Sequence, residues 1–393
     1  MGIRLVVIDD NPHVSWEGRV YPVNATFQQF VVGLLDLPGS PVASITSCVP
    51  LRAATAAPAT LPLDDRLRVV GTAPFDGIAG YLRHLPAMVR ANRSVLREAI
   101  DAADLVWLKV PASNASMAGW LALRAGVPRF GYVAGSASAV ARGRGLGVPA
   151  RAVGLAYDVA GRLAGGSRRV VVGEGLVGGE GIVTSLVEPG EIRDVGGAPW
   201  PAIPWRLRLA WAGRLAPGKG LDALLAALAV LVAGEKPGDR VELVIIGDGP
   251  ARAALGARAA SLRVADRIHW LGYVADRPTY LDALASCDLF VFPSPAEGFP
   301  KVVLDAMAVG LPVVARPSGQ LTPVAAGGLI EPVGSDDAGE LAGAIGRLVA
   351  SPSRAATLAS AGSAFAAEHT RPAEAARLVS RWRSWWPDLP WGR

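Results

Sequence analysis

The chain has 393 residues, 51% of them hydrophobic and 19% charged. That is enough apolar material for two or three domain cores, and it excludes a disordered or fibrous chain. The 39 basic residues exceed the 34 acidic ones by only +5, too mild an excess over this length to predict nucleic-acid binding. Just four of the basic residues are lysines, at 109, 219, 236 and 301, so each of them calls for a reason.

The first segment, R-L-V-V-I-D-D, reads as the strand Ile3–Ile8 and not as a signal peptide, because one arginine and a brief apolar run end in two acids. Further short apolar runs predict buried parallel strands at Asp104–Leu108, Val170–Val172, Leu207–Trp211, Val241–Ile246, Asp288–Phe292 and Leu311–Ala315. Amphipathic helical stretches separate them, so the expected class is α/β. Residues 187–206 carry four prolines and three glycines, which cannot sustain a helix or a central strand, and they predict the domain break. The last stretch, P-A-E-A-A-R-L-V-S-R-W-R-S-W-W-P, reads as a basic, Trp-rich helix packing back onto the body. A membrane-surface anchor is the alternative. Cys48 and Cys287 lie far apart and make neither a disulfide framework nor a zinc cluster, which fits a cytoplasmic location. The longest uninterrupted apolar run, Ala223–Ala233, is too short to span a bilayer.

Two motifs carry chemistry. After the strand L-R-L-A-W-A comes G-R-L-A-P-G-K-G (Gly213–Gly220), followed by a helix with Leu221, Leu224, Leu225, Leu228 and Leu231 at helical spacing. A glycine loop feeding a helix N-terminus presents free N–H groups and the positive end of a dipole. With Arg214 and Lys219 beside it, this loop suits a multiply charged anion such as a diphosphate. The letters also match the start of a Walker A loop, but Gly220 stands where a Ser or Thr hydroxyl should hold magnesium. The second motif is S-P-A-E-G-F-P-K-V-V-L-D, after the strand D-L-F-V-F-P. Pro300 suits the first turn of a helix running to Ala308. The amides of Lys301 and Val302 would then be orphan donors suited to a phosphate. Glu297 lies in the loop before the helix, and Asp305 about one turn into it.

In these residues the chain resembles the GT-B glycosyltransferases, specifically the large family of retaining, nucleotide-sugar-dependent enzymes numbered four. That family carries G-R-L-x-x-x-K-G, then G-D-G-P (here Gly247–Pro250), then E-x7-E within E-G-F. The segment W-L-G-Y (Trp270–Tyr273) falls where the family has a segment near the nucleobase. The resemblance covers residues 207–350 and thins over the first 190. It implies two Rossmann-like doubly wound domains facing a cleft. The acceptor-binding domain would span 1–190 and the nucleotide-sugar-binding domain 206–372, with a C-terminal helix at 373–393.

By that resemblance, Arg214 and Lys219 stabilise the leaving diphosphate. Glu297, with the backbone of Gly298, Phe299 and Pro300, holds the donor sugar. Gly213, Gly247, Tyr273, Lys301 and Val302 line the rest of the donor site. Asp305 meets the ribose in place of a glutamate, one methylene shorter. The implied reaction is front-face transfer to a small-molecule, lipid or glycan acceptor, with a nucleotide-diphosphate sugar as co-substrate and with no cofactor or metal. On the acceptor side the family's histidines are replaced by Ala134, Trp107 and Lys109. His13, read in the loop after the first strand, and Lys109, read as following a strand, are the acceptor-side candidates at the carboxyl edge of the sheet. His84, His269 and His369 carry no partner signal.

Segment 138–170 holds six arginines, at 142, 144, 151, 162, 168 and 169, against the single acid Asp158. It reads as a solvated face, an anionic-acceptor site or a weak peripheral contact with anionic lipid. G-L-G-V-P-A at Gly145–Ala150 resembles a dinucleotide fingerprint, but no strand leads into it. The alternatives to a transferase are a non-catalytic or altered GT-B protein that binds a nucleotide sugar as a partner subunit, and a GT-B-type epimerase.

Overall fold

The computed structural model describes residues 2–391 apart from 59, 144–145, 176–180, 196–205, 236–239 and 296. Arg144, Gly145, Lys236 and half of the Pro- and Gly-rich break, residues 196–205, therefore lie outside the described residues. The chain forms two compact units. One takes the described residues up to Leu186 together with Arg371 onward, and the other takes the described residues of Val187–Thr370.

The first unit is built on an eight-stranded sheet. Its strands are β1 (Ile3–Ile8), β2 (His13–Trp16), β3 (Arg19–Pro22), β4 (Val42–Ala53), β5 (Leu67–Thr72), β6 (Leu105–Val110), β7 (Arg129–Val133) and β8 (Arg169–Val171). The order is β3-β2-β4-β1-β6-β7-β8, with β5 also paired to β4. Every pairing is parallel except the β2–β3 hairpin. Strands β1 and β6 are buried along almost their whole length, as expected of central parallel strands covered on both faces. Trp107 of β6 is fully buried among Phe27, Phe130, Tyr132 and Trp382. Trp382 belongs to the C-terminal helix Arg371–Trp385, and its ring lies 5.3 Å from Phe130 and 5.7 Å from Trp107. Trp382 is a core residue of the first unit, and Trp385 is half-buried against Phe130.

The second unit contains β9 (Arg206–Ala212), β10 (Arg240–Ile246), β11 (Ile268–Gly272), β12 (Leu289–Phe292), β13 (Val313–Ala315) and β14 (Glu331–Pro332). All pair in parallel, in the order β11-β10-β9-β12-β13-β14. This is a doubly wound sheet whose chain order reverses between β9 and β12. Ligands of such sheets bind outside the carboxyl ends at that reversal. The helix Leu221–Ala233 buries Leu221, Leu224, Leu225 and Leu228 against β9 and β10, which is the stripe read from the sequence.

All seven expected strands are present, displaced by no more than two residues at either end. The two-fold α/β organisation therefore stands. Strands β2–β5, β7, β11 and β14 were not expected. β4 is interrupted by Ser, Thr and Pro50, and β11 (I-H-W-L-G) alternates buried and accessible residues near a sheet edge. Neither presents the continuous apolar run that marks a central parallel strand.

Candidate functional site

The carboxyl ends of β9, β10 and β11 are tied together through backbone groups. The Gly213 N–H donates to the Ile246 carbonyl at 3.0 Å, the Gly247 N–H to Gly272 at 2.7 Å, and the Leu215 N–H to Asp248 at 3.0 Å. The G-R-L and G-D-G loops thus stack main chain on main chain. Gly247 has φ +136°, and a Cβ there would lie 1.9 Å from the Gly213 carbonyl oxygen. Only glycine permits both that dihedral and that approach.

On the other side of the reversal, the loop after β12 carries Glu297. A Cβ on Gly319 would stand 2.0 Å from the Glu297 carbonyl oxygen, and the Gln320 N–H donates to Gly298 at 3.2 Å. The E-G-F loop is therefore held from beneath by the turn after β13. Phe299 and Pro300 are buried, whereas Gly298 is exposed. The helix starts at Lys301, and Pro300 precedes it in extended conformation as its cap. The sequence reading placed Pro300 inside the first turn. The correction is one position, and it leaves Lys301 and Val302 as the first two helical residues.

The two loops meet at one ion pair. Lys219 Nζ lies 2.5 Å from Glu297 Oε1, and Ser294 Oγ donates to the same oxygen at 2.8 Å. Lysine and carboxylate thus bridge the carboxyl ends of β9 and β12 across the point of reversal. Arg214 is exposed and makes no ion pair among the described residues. Tyr273, just past β11, is 52% exposed. Beside it, Arg252 stacks 3.7 Å over the ring of Trp270. Ser294 was missed by sequence reasoning, although it stands only three residues before Glu297.

Asp305 is buried, with both oxygens engaged. Arg277 donates to Oδ1 at 3.1 Å and Tyr280 Oη to Oδ2 at 3.2 Å. Arg277 also grips Glu191 through two bonds of 2.8 and 2.7 Å. Burial pushes the Asp305 carboxyl above its usual range, against the opposing pull of Arg277. Arg277 and Tyr280 lie three apart on the helix Arg277–Ala285. No local spacing connects them to residue 305, so pattern reading had no means of finding them.

In the first unit a separate polar cluster collects at the carboxyl ends of β1 and β6. Lys109 is the fifth residue of β6, not a residue following the strand, and its Nζ donates to Asp9 Oδ1 at 2.8 Å. It also sits 4.3 Å over the ring of Phe27. His13 is not in a loop: it opens β2, pairs with β4 and is fully buried, with Nδ1 2.7 Å from the Asn11 carbonyl. Burial lowers its pKa by disfavouring the charged ring. The His13 reading failed because the chain re-enters the sheet only four residues after β1, and the Lys109 reading because β6 keeps pairing with β7 through Lys109 and Val110. Next to them, Asp10 accepts bonds from the Ser113 N–H and from Tyr157 Oη, and burial raises its carboxyl. Its other oxygen is buried without a hydrogen-bond partner among the described residues. Trp107, one of the replaced family positions, faces the core, and Ala134 is exposed at the end of β7.

The model of the family described as Glycosyl transferases group 1 matches residues 206–351. A GDP-mannose-dependent alpha-(1-6)-phosphatidylinositol dimannoside mannosyltransferase of Mycobacterium tuberculosis is 35% identical over 123 residues, which are 31% of this chain and 30% of that protein. A D-inositol 3-phosphate glycosyltransferase of Thermobispora bispora is 35% identical over 179 residues, 44% of this chain and 41% of that protein. The chain thus aligns with less than half the length of these relatives. Among solved structures, sucrose-phosphate synthase from Thermosynechococcus elongatus superposes with a TM-score of 0.69 at 17% identity, covering 98% of this chain and 99% of that one. The Anabaena protein HepE, in complex with UDP and glucose, gives 0.63 at 18% identity, with 97% and 100% covered. The fold is the two-domain α/β fold of the GT-B glycosyltransferases.

Proposed function

We propose that this chain is a retaining glycosyltransferase that moves a sugar from a nucleoside-diphosphate donor to a hydroxyl acceptor. The observation that carries this reading is the Lys219–Glu297 pair, joining the two glycine-bounded loops at the reversal of a six-stranded parallel sheet. Support comes from the family match over 206–351 and from relatives that use GDP-mannose or glycosylate inositol 3-phosphate.

Without donor, the ammonium and the carboxylate neutralise one another. An incoming diphosphate would take over the Lys219 charge and release Glu297 to accept hydrogen bonds from sugar hydroxyls. Arg214, exposed and without an ion pair among the described residues, adds the second cation, and the amides of Lys301 and Val302 meet phosphate oxygens. Asp305, held by Arg277 and Tyr280, supports the nucleoside end. In the transfer itself, the bond from the anomeric carbon to the phosphate oxygen breaks while the bond to the acceptor oxygen forms on the same face. The acceptor proton passes to the departing phosphate. Charge develops on the diphosphate as the sugar becomes oxocarbenium-like, and fixed cations stabilise that state without reorganisation. We assign this charge work to Arg214 and Lys219 and not to a metal, so the rate should be insensitive to EDTA.

The test is a panel of GDP- and UDP-sugars, followed for nucleoside diphosphate release with inositol phosphates, phosphatidylinositol and glycan acceptors. Acceptor-dependent release with retained anomeric configuration supports the proposal. Tight donor binding with no release under any acceptor would favour a non-catalytic GT-B protein. Interconversion of the donor sugar alone would favour an epimerase.

A further inference from the structure

The helix Val148–Ala164 in the first unit is inside out. Its buried residues are Gly154, Gly161, Ala164 and its only acid, Asp158. The small residues fit because the backbone beneath is close: a Cβ on Gly154 would lie 2.9 Å from the Ser138 nitrogen. Asp158 is consumed internally, accepting from Ser136 Oγ at 2.7 Å, from the Ala137 N–H at 2.7 Å and from Ser138. The large apolar side chains face the other way. Val148, Leu155, Val159 and Leu163 are 76%, 58%, 47% and 72% exposed, and the last three recur every four residues along a single face.

The neighbouring helix Ala115–Ala125 crosses this one closely enough that a Cβ on Gly119 would lie 2.6 Å from the Ala164 carbonyl oxygen. It exposes Trp120 and Leu123. The guanidinium of Arg124 lies 4.9 Å from the Trp120 ring, and that of Arg93 5.8 Å. Arg151 and Arg162 are exposed on the first helix. The helix Ala115–Ala125 has no acid in its sequence, and the helix Val148–Ala164 has only the buried Asp158.

We infer that these two helices form a docking face for an anionic lipid bilayer. Exposed apolar surface of this extent marks an interaction site. An apolar stripe edged by arginines, with no exposed acid on either of the two helices, matches the interface of acyl chains and anionic headgroups. A second copy of the chain is a poor occupant, because self-pairing would set arginine against arginine with no acid on either helix. A nucleic acid would gain nothing from Leu155 or Leu163. No described helix is long and apolar enough to cross a membrane, so the contact is lateral. The inference does not depend on the transferase reading.

The test is co-sedimentation of the full chain with vesicles of phosphatidylcholine alone, or with phosphatidylglycerol added, at low and physiological salt. Binding is expected to the anionic vesicles, weakened but not abolished by salt. The double variant Leu155→Glu/Leu163→Glu should lower partitioning at least tenfold at both salts, since burying one leucine is worth about tenfold or more. Arg151→Gln/Arg162→Gln should cost about fivefold per arginine, mainly at low salt. Circular dichroism should be unchanged, because all four side chains are exposed. Three results would each overturn the inference: no sedimentation at low salt, unchanged binding by the leucine variant, or a solution dimer that the leucine variant dissociates.

Discussion

Replacing Lys219 by alanine separates the stability of the site from its chemistry. Lys219 is one-third exposed and Glu297 about one-sixth, so the pair is solvent-screened and its loss should cost no more than about 1 kcal/mol of stability. Glu297 is not orphaned, because Ser294 Oγ still donates to it at 2.8 Å. Catalysis should respond very differently. Removing one preorganised charge partner from a developing anion typically costs about 10²–10³ in rate, or roughly 3–4 kcal/mol. We therefore expect a melting temperature within a few degrees of wild type and a kcat reduced at least a hundredfold. The assay is acceptor-dependent nucleoside diphosphate release beside a thermal melt of the same preparation. The reciprocal variant, Glu297→Gln, removes the competitor for Lys219. Free nucleoside diphosphate should then bind about fivefold more tightly, the equivalent of roughly 1 kcal/mol for a part-exposed pair, while turnover falls. A near-wild-type kcat in Lys219→Ala would refute the assignment of the diphosphate site. So would a large collapse of its melting temperature, which would make the pair structural.

Other outcomes follow from the same geometry. Gly247→Ala places a methyl group on the Gly213 carbonyl at a dihedral that alanine resists. It should destabilise the second unit by several kcal/mol, read as a lower urea midpoint, and Gly346→Ala in the helix Ala338–Val349, where an added Cβ meets nothing within 4 Å, serves as the mild control. Arg277→Ala leaves Asp305 buried with only Tyr280 as partner, and we expect a loss of about 3 kcal/mol. The Asp305 carboxyl is already raised by burial, and losing the guanidinium raises it further. An acid with an elevated folded-state pKa loses stability as pH rises, so the deficit should be larger at pH 7 than at pH 5. A deficit independent of pH would refute this account. Glu242 has the opposite sign. Burial alone would raise its carboxyl, but bonds from Arg240 and Arg206 outweigh that and hold it at about 2. Its contribution is present above the unfolded value of 4.5 and is lost as pH falls toward 2. Glu242→Gln should therefore flatten the acid limb of the stability curve in that window.

Much of the candidate donor site was legible in advance because its parts are local. A glycine loop between a strand and a helix, and an acid just ahead of a proline-capped helix, are short-range patterns, and the physics that requires them acts over a few residues. The same holds for the seven continuous apolar strands and for the leucine stripe after Gly220. What failed was long-range or inverted. His13 read as a loop residue because nothing within a few positions reveals that β2 will pair with the far end of β4. Lys109 read as a strand follower because a lysine ends the apolar run, and nothing local reveals that pairing with β7 continues through Lys109 and Val110.

The sequence by itself determined that this is a doubly wound α/β chain with a glycine loop feeding a helix and a carboxylate loop ahead of another, since both follow from hydrophobic period and local backbone chemistry. Only the tertiary structure decided that Lys219 and Glu297, 78 residues apart, form one site. The strand order sets β9 beside β12, and no sequence spacing encodes that adjacency. It alone showed that Asp305 is shared between Arg277 and Tyr280, and that the helix Val148–Ala164 turns its glycines inward and its leucines out. The helical period of that segment fixes which residues share a face, but only packing decides which face meets the core.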